Sequence, residues 1–527
     1  MRRLWTLCLV AGVGSAVAAT RAAETVTHDW PSYNRTLTSD RYAPLDQINK
    51  TNVSRLKQLC VYDLNVDVGF EAGPIVIGRT LYVTADKEIL AIDAATCQEK
   101  WRVREDSPSA PRVNRGAAFL DGRLFRGSGE GNVLAYDATS GAKLWTTHLA
   151  DPDKGESIPS APIAWNGFVF IGTAGSERYG VKGRMYALDA RTGKPVWETY
   201  TVPTDVPQPG NETMQKQART TWGNVEGVPI TGGGTWTSYT LDPDRGLLYV
   251  PVGNPGPDFA TQVRPGANLY TNSILVLDAK TGTYRNHYSL VPADFHDWDL
   301  GAAPVLVTTK GGKRIVAGAP KDGLLHVYDL ASDKKLYATP ITTRLNDTMA
   351  LSTTPTRFCP GAGGGTEWNG PAFSPDTNLF YDGTADWCVT VTLDPAQLAR
   401  KPGQTWTGTE LAAQFGKHDL NWAGWVVATD ADTGQVKWRF HAGAPVLSGI
   451  TPTRGGLVFA GDMDKHGYAF DAGNGTILWR AELPGSPGGG VITYMIDGRQ
   501  CVAFVTGTRS NVFPVSASSA KIVIFGL

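Results

Sequence analysis

One eleven-residue frame recurs seven times along the 527 residues of this chain. The copies, of which the first two read "AIDAATCQEKW" and "AYDATSGAKLW", are residues 91–101, 135–145, 187–197, 276–286, 327–337, 428–438 and 469–479. In each copy an Asp stands eight residues before an aromatic position, which holds Trp except at Asn286 and Tyr337. Such a regular spacing predicts one supersecondary unit used repeatedly, and we interpret the Asp and Trp residues of the frame as scaffold.

The frame predicts a strand, a tight turn and a second strand. Its Asp would cap the turn, its Thr-Gly type pair would form the turn, and its Trp would cover the neighbouring unit. Short apolar strands such as "GFVFIGT" and "GLVFAGD" precede most copies, which gives about four strands per unit. A four-stranded sheet cannot bury both of its faces alone, so such units are expected to stack radially into a β-propeller.

Eight blades are expected from this arrangement. The seven copies supply seven blades, and the last strand, "AKIVIFGL", supplies the eighth together with the stretch near "LKQLCVYDL". The predicted fold class is therefore all-β, an eight-bladed β-propeller. Long gaps from Asp189 to Asp278 and from Asp329 to Asp430 leave room for insertions, and a short helix is expected within residues 395–420.

Composition supports a mostly β chain and limits its partners. The 60 glycines, 33 prolines and 16 tryptophans favour short strands and tight turns over long helices. A net charge of −1 at pH 7 provides no basic surplus, which argues against nucleic acid and anionic membrane surfaces as partners.

The N-terminus has the pattern of a secretory signal peptide. Two arginines precede an apolar run from Leu4 to Ala18, and small residues around Ala18 or Ala23 offer A-x-A-type cleavage. We therefore predict a signal peptide over residues 1–23, a single propeller domain over residues 24–527, and a periplasmic location without a later transmembrane segment. The absence of C-x-x-C-H excludes covalently bound c-type haem in this sequence.

The stretch "FHDWDLGAA", residues 295–303, contains Asp and Trp but lies outside the frame. No Thr-Gly turn follows Asp299, and position 307, eight residues later, is Val. Asp299 is therefore a candidate catalytic base, whereas His296 and Asp297 are neighbours of uncertain role.

From "DWPSYNRTLTSDRYAPLDQINKTNVSRLK" to "GGLVFAGDMDKHGYAFDAGNGTILW" the chain resembles the quinoprotein alcohol dehydrogenases. That family, which includes methanol and ethanol dehydrogenases, holds pyrroloquinoline quinone (PQQ) in an eight-bladed propeller, and its tryptophan-docking motif is similar to the repeat described above. The resemblance implies that Asp299 is the base and that PQQ and a metal ion are cofactors.

Three segments resemble the family's metal site. "GTAGSERYGVKG" implies Glu177 as a ligand, with Gly175 and Ser176 at the cofactor; "VPVGNPGP" implies Asn254, and "HDWDLG" implies Asp299. Carboxylate and carboxamide oxygens suit calcium, a hard cation. Taken singly, Asn254 could merely form a turn and Glu177 could be a solvated charge, so the case depends on their joint occurrence.

Gly301 bears on the choice of metal. Lanthanide-using relatives carry an additional Asp two residues after the catalytic one, and this chain has Gly301 at that position. The resemblance therefore implies calcium.

The resemblance also implies a set of residues around PQQ. An Arg side chain there can pair with a carboxylate, a Lys lies beside the reactive carbonyls, and a Trp forms a floor under the ring. The corresponding residues are Glu71, Arg115, Thr235, Trp236, Lys321 and Asn369. One residue of the family pattern is missing between Thr235 and Trp236.

Several positions depart from the family pattern. Ser109 and Ala110 replace a vicinal cysteine pair that forms the ceiling over the ring, Leu447 replaces a frequent Trp, and Pro159 and Ala174 replace polar cofactor contacts. These departures suggest a pocket different from that of methanol dehydrogenase.

The resemblance also bears on the cysteines. It implies a disulfide between Cys359 and Cys388, and Cys60 and Cys97 flank the first blade as a second expected pair. Cys501 is then the free thiol, and it is expected to be a small buried apolar residue rather than a nucleophile.

The leading functional hypothesis is oxidation of an alcohol to a carbonyl, with Asp299 taking the hydroxyl proton while hydride passes to PQQ. Electrons would leave to a separate acceptor such as a c-type cytochrome or a quinone. One alternative is a non-catalytic periplasmic propeller that scaffolds other proteins and has lost cofactor binding. The other is an enzyme of the same fold that acts on a sugar, a polyol or a bulky secondary alcohol.

Overall fold

The structure is a computed structural model that describes residues 28–107, 112–409, 417–510, 512–516 and 518–527. The predicted signal peptide, and Ser109 and Ala110, lie outside the described residues.

Eight four-stranded antiparallel sheets make up the described chain. The first strand, β1 (Lys57–Asp63), belongs to the last sheet, and seven sheets follow one another along the chain. Their strands are β2 (Ile75–Ile77), β3 (Thr80–Ala85), β4 (Glu88–Asp93) and β5 (Glu99–Arg104); β6 (Ala118–Leu120), β7 (Arg123–Gly127), β8 (Asn132–Asp137) and β9 (Lys143–His148); β10 (Ile163–Trp165), β11 (Phe168–Gly172), β12 (Arg184–Asp189) and β13 (Pro195–Tyr200); β15 (Thr240–Asp242), β16 (Leu247–Pro251), β18 (Ser273–Asp278) and β19 (Tyr284–Ser289); β20 (Val305–Thr308), β21 (Arg314–Gly318), β22 (Leu324–Asp329) and β23 (Lys335–Pro340); β25 (Ala372–Ser374), β26 (Leu379–Asp386), β29 (Ala423–Asp430) and β30 (Val436–Ala442); β31 (Thr451–Pro452), β32 (Leu457–Asp462), β33 (His466–Asp471) and β34 (Ile477–Glu482).

The eighth sheet joins the two ends of the described chain. It consists of β35 (Val491–Ile496), β36 (Arg499–Thr506), β37 (Lys521–Gly526) and β1, with β1 pairing antiparallel to β37. The first strands of neighbouring sheets contact each other, as β6 contacts β10 and β25 contacts β31. This arrangement confirms the all-β, eight-bladed prediction, including the closing role of residues 57–63.

The Asp of each copy caps a turn because its carboxylate accepts backbone N–H groups. Asp189 Oδ1 accepts from the backbone N of Arg191 at 3.1 Å and of Thr192 at 2.7 Å. Asp278 and Asp430 accept the same pair of bonds from the backbone N–H groups of the second and third residues after them. Each carboxylate thereby satisfies donors that the turn would otherwise leave open.

The Trp of one copy lies on the turn of the next. The indole N–H of Trp197 donates to Ala279 O at 3.0 Å, and a Cβ added to Gly282 would lie 2.6 Å from the Trp197 ring. Trp101, Trp145, Tyr337 and Trp438 make the equivalent bond to the Ala after the Asp of the next copy. We call these turns and the aromatic residues on them the docking ring.

The copy that lacks an aromatic residue keeps a contact of the same kind. Asn286 Nδ2 donates to Asp333 Oδ1 at 2.9 Å, and Asp333 belongs to the turn of the next copy. The substitution therefore exchanges ring packing for a polar bond between the same two blades.

The insertions contain the remaining elements. The α-helix α1 (Glu212–Arg219) lies in the gap after Asp189, as do the strands of a small sheet, β14 (Thr231–Gly232) and β17 (Pro255–Gly256). A three-stranded sheet consists of β24 (Thr356–Phe358), β27 (Val389–Val391) and β28 (Lys417–His418). Short 3₁₀ helices are Val53–Arg55, Pro152–Lys154, Thr261–Val263 and Pro395–Leu398. The last of these lies in the region where a short helix was expected, residues 395–420, of which residues 410–416 are outside the described part.

No helix in the described part of the chain is long and apolar enough to cross a membrane. Both expected disulfides are present, Cys60–Cys97 and Cys359–Cys388, and Cys501 is a buried free cysteine, as predicted.

Candidate active site

A cleft of about 340 Å³ collects side chains from several blades. Its lining includes Arg115, Trp236, Asp299 and Glu367, each of which lies within six residues before the first strand of its blade. Because the first strands of neighbouring blades contact each other, the loops that enter them converge on one place. The volume is within the range of small-molecule sites.

Asp299 is held from two sides in this cleft. Its Oδ1 accepts the backbone N–H of Asn254 at 2.8 Å, and its Oδ2 lies 3.0 Å from Lys321 Nζ. The backbone N–H of Lys321 also donates to Asp299 O at 2.9 Å. Gly253 is required here because a Cβ at that position would lie 2.5 Å from Asp299 Oδ1. The carboxylate is therefore fixed and faces the cleft.

The three predicted metal ligands come from segments that are in contact. Besides the bond between Asn254 and Asp299, a Cβ on Gly256 would lie 3.2 Å from Ser176 O, next to Glu177. Burial and the negative charge of Asp299 raise the pKa of Glu177. The structure thus brings the three predicted segments together.

Unpartnered oxygens test whether this set fits a cation. Asn254 is fully buried, its Nδ2 donates to Asp258 Oδ1 at 2.9 Å, and its Oδ1 has no hydrogen-bond partner. Asp258 Oδ2 is likewise buried without a partner. Oxygen atoms of this kind are what a hard cation prefers, so the residues fit a hard metal ion.

The predicted ligand set is not made of carboxylates alone. Among the described residues, no three His, Cys, Asp or Glu side chains are grouped as a metal site. The predicted set consists of two carboxylates and one carboxamide, and the roles of Glu177, Asn254 and Asp299 as ligands stay predictions.

Lys321 is the cation of the cleft that pairs with Asp299. It lies 3.0 Å from Asp299 and 3.5 Å from Asp297, and it is buried. Burial opposes its charge, but Asp297 and Asp299 outweigh that effect and raise the pKa of Lys321 well above its usual value. Burial raises the pKa of Glu367, a further lining residue, to about 7, although Lys321 acts in the opposite direction. The ammonium group of Lys321 thus partly neutralises the charge of several carboxylates.

Trp236 forms a platform with cations beside it. The Arg115 guanidinium carbon lies 4.6 Å from the centre of the Trp236 ring, and Lys321 Nζ lies 5.8 Å from it. Arg115 is itself paired with Glu71 through Nη2 at 2.5 Å. A Cβ on Gly301 would lie 3.0 Å from the same indole, so this glycine lets the ring approach the backbone.

The remaining predicted cofactor residues divide into two groups. Gly175 lines the cleft, and Ser176 Oγ is buried without a partner. Thr235 Oγ1 donates to Arg184 O, and Asn369 Nδ2 donates to Leu447 O at 2.7 Å, so both side chains are engaged with backbone carbonyls.

Two of the departures from the family pattern, Pro159 and Ala174, do line the cleft. Leu447 does not line the cleft but packs beside Trp368 and Phe513, two of the residues that do.

His296 is packed rather than poised in the cleft. Its ring stacks on Trp298 with centroids 3.8 Å apart and also meets Phe358. Its Nδ1 lies 3.7 Å from Asp294 Oδ1. These contacts favour the packing role that the sequence left open.

Sequence reasoning missed Asp258, Glu367 and Trp368. Trp368 lines the cleft, and the Arg115 guanidinium carbon lies 5.5 Å from its ring. Each missed residue is close in sequence to a predicted one: Asp258 is four residues after Asn254, and Glu367 and Trp368 precede Asn369. A charged residue in a Gly- and Pro-rich segment beside a candidate ligand was the available signal.

Comparison with known proteins gives one consistent answer. Residues 30–345 and 439–502 match the model of the PQQ-dependent glucose, ethanol and alcohol dehydrogenase β-propeller domain. The quinohemoprotein alcohol dehydrogenase ADH-IIG of Pseudomonas putida is 31% identical over 95% of this chain and 76% of its own length.

Solved structures agree with these matches. The quinohemoprotein alcohol dehydrogenase of Comamonas testosteroni superposes with a TM-score of 0.85 at 27% identity, covering 96% of this chain and 81% of that one. A europium-containing methanol dehydrogenase superposes with a TM-score of 0.82 at 28% identity, covering 95% and 98%.

Proposed function

The chain belongs to the family of PQQ-dependent alcohol dehydrogenases, and we propose that it oxidises an alcohol to the corresponding carbonyl compound with PQQ and calcium as cofactors. The observation that carries the proposal is the cleft in which Asp299 is clamped between Lys321 and the backbone of Asn254, beside the Trp236 platform. A carboxylate fixed in this way can act as a general base toward a bound hydroxyl group.

In the proposed mechanism Asp299 accepts the hydroxyl proton of the substrate. Its ion pair with Lys321 stabilises the anionic form, and the N–H bond from Asn254 aims the carboxylate. When bound, PQQ supplies the hydride acceptor and the metal supplies a Lewis acid that polarises the reactive carbonyl. Because both groups that hold Asp299 are buried, the base keeps one geometry as the cleft fills.

The chain's own residues would bind the cofactors as follows. Glu177, Asn254 and Asp299 would hold the metal, and Gly301 favours calcium because the additional Asp of lanthanide-using relatives is absent. Trp236 would form the floor under PQQ, with the Arg115–Glu71 pair and Lys321 providing polar contacts at its edge. The unpartnered Asn254 Oδ1 supports the metal assignment.

We further propose a periplasmic location, from the signal peptide pattern of residues 1–23, and electron transfer to a separate carrier such as a c-type cytochrome or a quinone. The sequence contains no C-x-x-C-H, whereas two of the three relatives compared above are named quinohemoproteins. The replacements at Ser109, Ala110 and Leu447 lead us to propose a bulky, secondary or polyhydric alcohol as substrate.

Reconstitution tests the proposal. The purified protein is incubated with PQQ and calcium, the quinone absorbance is recorded, and dye reduction is measured with methanol, a secondary alcohol and a polyol. We expect stoichiometric PQQ binding and dye reduction with the larger alcohols. Failure to bind PQQ would overturn the proposal and would favour a non-catalytic scaffold.

A further inference from the structure

Asp258 is a buried carboxylate beside Asn254 to which the proposed mechanism assigns no role. Asp258 is completely buried. Aspartate side chains are seldom completely buried unless they form an ion pair or bind a metal. Its Oδ1 accepts a hydrogen bond from the amide group of Asn254, and its Oδ2 has no partner. Cation partners of the usual kind do not satisfy that oxygen: the neighbouring Arg264 gives its guanidinium donors to Pro257 O, Asp258 O and Asn268 Oδ1.

The bond from Asn254 to Asp258 also decides which way the carboxamide faces. Because Nδ2 donates to Asp258 Oδ1, Oδ1 of Asn254 is turned to a different direction, where it has no partner. The backbone N–H of the same residue is bonded to Asp299. Asn254 is therefore fixed at two points by two carboxylates, with its one potential ligand atom left open.

We propose that Asp258 is a fourth residue of the metal site, which orients the Asn254 oxygen toward the ion and adds a third carboxylate to the site's field. The inference rests on the proposed function, since it requires a metal ion at Glu177, Asn254 and Asp299. The inference goes beyond the proposed function because it assigns additional negative charge at the metal site to Asp258. The proposed function considered such additional charge only at position 301, where this chain has Gly. Glu177 and Asp299 would then be carboxylate ligands, while Asp258 would act on the metal through Asn254 and through its charge.

The charge of the ion provides a test, because the attraction of one carboxylate scales with that charge. Asp258→Asn keeps an acceptor for the Asn254 amide but removes the charge, whereas Asp258→Ala removes both. Asp382→Asn is a matched control: Asp382 is also fully buried, but it lies on β26 and neither of its carboxylate oxygens is bonded to a predicted metal ligand, whereas Asp258 Oδ1 accepts from Asn254.

Binding of terbium and calcium to the full-length protein is measured by tryptophan-sensitised terbium luminescence, with calcium as competitor. We expect Asp258→Asn to weaken calcium binding about 10-fold and terbium binding about 30-fold, in proportion to ionic charge. Asp258→Ala should weaken both by a further factor of about 3 or more, because the carboxamide is no longer held. Asp382→Asn should bind both ions as the wild type does.

Thermal unfolding of the metal-free protein gives a second readout. Removing the charge of a buried carboxylate that has no cation partner and one unpartnered oxygen should leave the Tm of Asp258→Asn unchanged or raise it, while the stabilisation by added terbium shrinks. Wild-type affinity for both ions in Asp258→Asn, or equal weakening in the Asp382→Asn control, would overturn the inference. If the wild type itself binds neither ion, the proposed function's metal site fails instead.

Discussion

The docking ring and the cleft use the same acidic side chains in opposite ways. In the ring, the Asp189 carboxylate accepts two backbone N–H groups and the Thr192 hydroxyl, and these bonds lower the pKa of Asp189. In the cleft and beside it, burial raises the pKa of Asp297 and of Asp258 well above the usual range, and each keeps an oxygen without a hydrogen bond.

The difference separates stability from function within one fold. A carboxylate saturated by its own turn holds the blade together and has no capacity left for a ligand. A carboxylate left incompletely bonded costs stability, and such a cost is typical of groups that meet a substrate or a cofactor. Substitutions in the two regions should therefore have separable effects on activity and on stability.

The largest contrast should appear in activity. Asp299→Asn keeps an acceptor for the Asn254 N–H but cannot take a proton, so turnover of the reconstituted protein should fall by about 10²–10⁴-fold. Its Tm should stay near that of the wild type. The ring substitution Asp430→Asn should leave the specific activity of the folded protein unchanged. Wild-type turnover in Asp299→Asn, measured by dye reduction, would remove Asp299 from the mechanism.

The ion pairs of the two regions should differ in their contribution to stability. Lys321→Met leaves Asp297, Asp299 and Glu367 without their cation in a buried place, and should lower the free energy of unfolding by about 3 kcal/mol. Lys437 pairs with Asp430 at 3.5 Å in the docking ring and is 42% exposed, so Lys437→Met should cost less than about 1 kcal/mol. Denaturant titration of the metal-free proteins measures both values. Equal losses would show that the cleft carboxylates do not depend on Lys321.

The contact between an aromatic ring and the next turn can be isolated with two glycines. Gly282 and Gly167 both have positive φ, +70° and +81°, but only Gly282 lies under a Trp. Gly282→Ala should cost about 2–3 kcal/mol, whereas Gly167→Ala, with nothing within 4 Å of the added Cβ, should cost about 1 kcal/mol. Thermal unfolding compares the two. Equal costs would mean that the turn conformation alone matters.

The smallest effect is a difference in pH dependence. Glu367 has a pKa of about 7 in the folded protein and an ordinary value of 4.5, so its contribution to stability falls as pH rises from about 4.5 to about 7. Glu367→Gln should therefore gain on the order of 1 kcal/mol relative to the wild type between pH 5 and pH 8.

Asp189 should show the opposite sign, because its folded pKa lies below the ordinary value of 3.8. The stability it contributes is present above that value and is lost as the pH falls through the folded pKa. Asp189→Asn should thus be closest to the wild type in acid. Unfolding midpoints recorded from pH 3 to pH 8 would show both trends, and parallel curves for the two variants would contradict them.

The sequence allowed the fold to be predicted in detail because the repeat is local. Asp and Trp eight residues apart define a strand, turn and strand, and the count of copies gives the blades. Even the pairing of residues 57–63 with residues 521–526 followed from the one blade that lacked a copy. The helix Glu212–Arg219 was not anticipated, because it lies in an insertion where the repeat gives no guidance.

The site was predictable only where the resemblance supplied a position. Asp299, Lys321, Trp236 and the Arg115–Glu71 pair are brought together as expected. Asp258 was missed because its hydrogen bond with Asn254 depends on the path of a loop, which no periodic pattern encodes. For the same reason the sequence could not indicate that the amide of Asn369 is bonded to Leu447 O.

The pairing of β1 with β37 has a consequence for synthesis. Residues 57–63 leave the ribosome long before residues 521–526, so the last blade cannot be completed during translation of the earlier seven. Until then β1 has no strand partner, but once residues 57–97 reach an oxidising compartment the Cys60–Cys97 disulfide can tie it to the first blade. That covalent tether would keep the waiting strand next to the gap it later fills, and would limit pairing of its exposed edge with another chain.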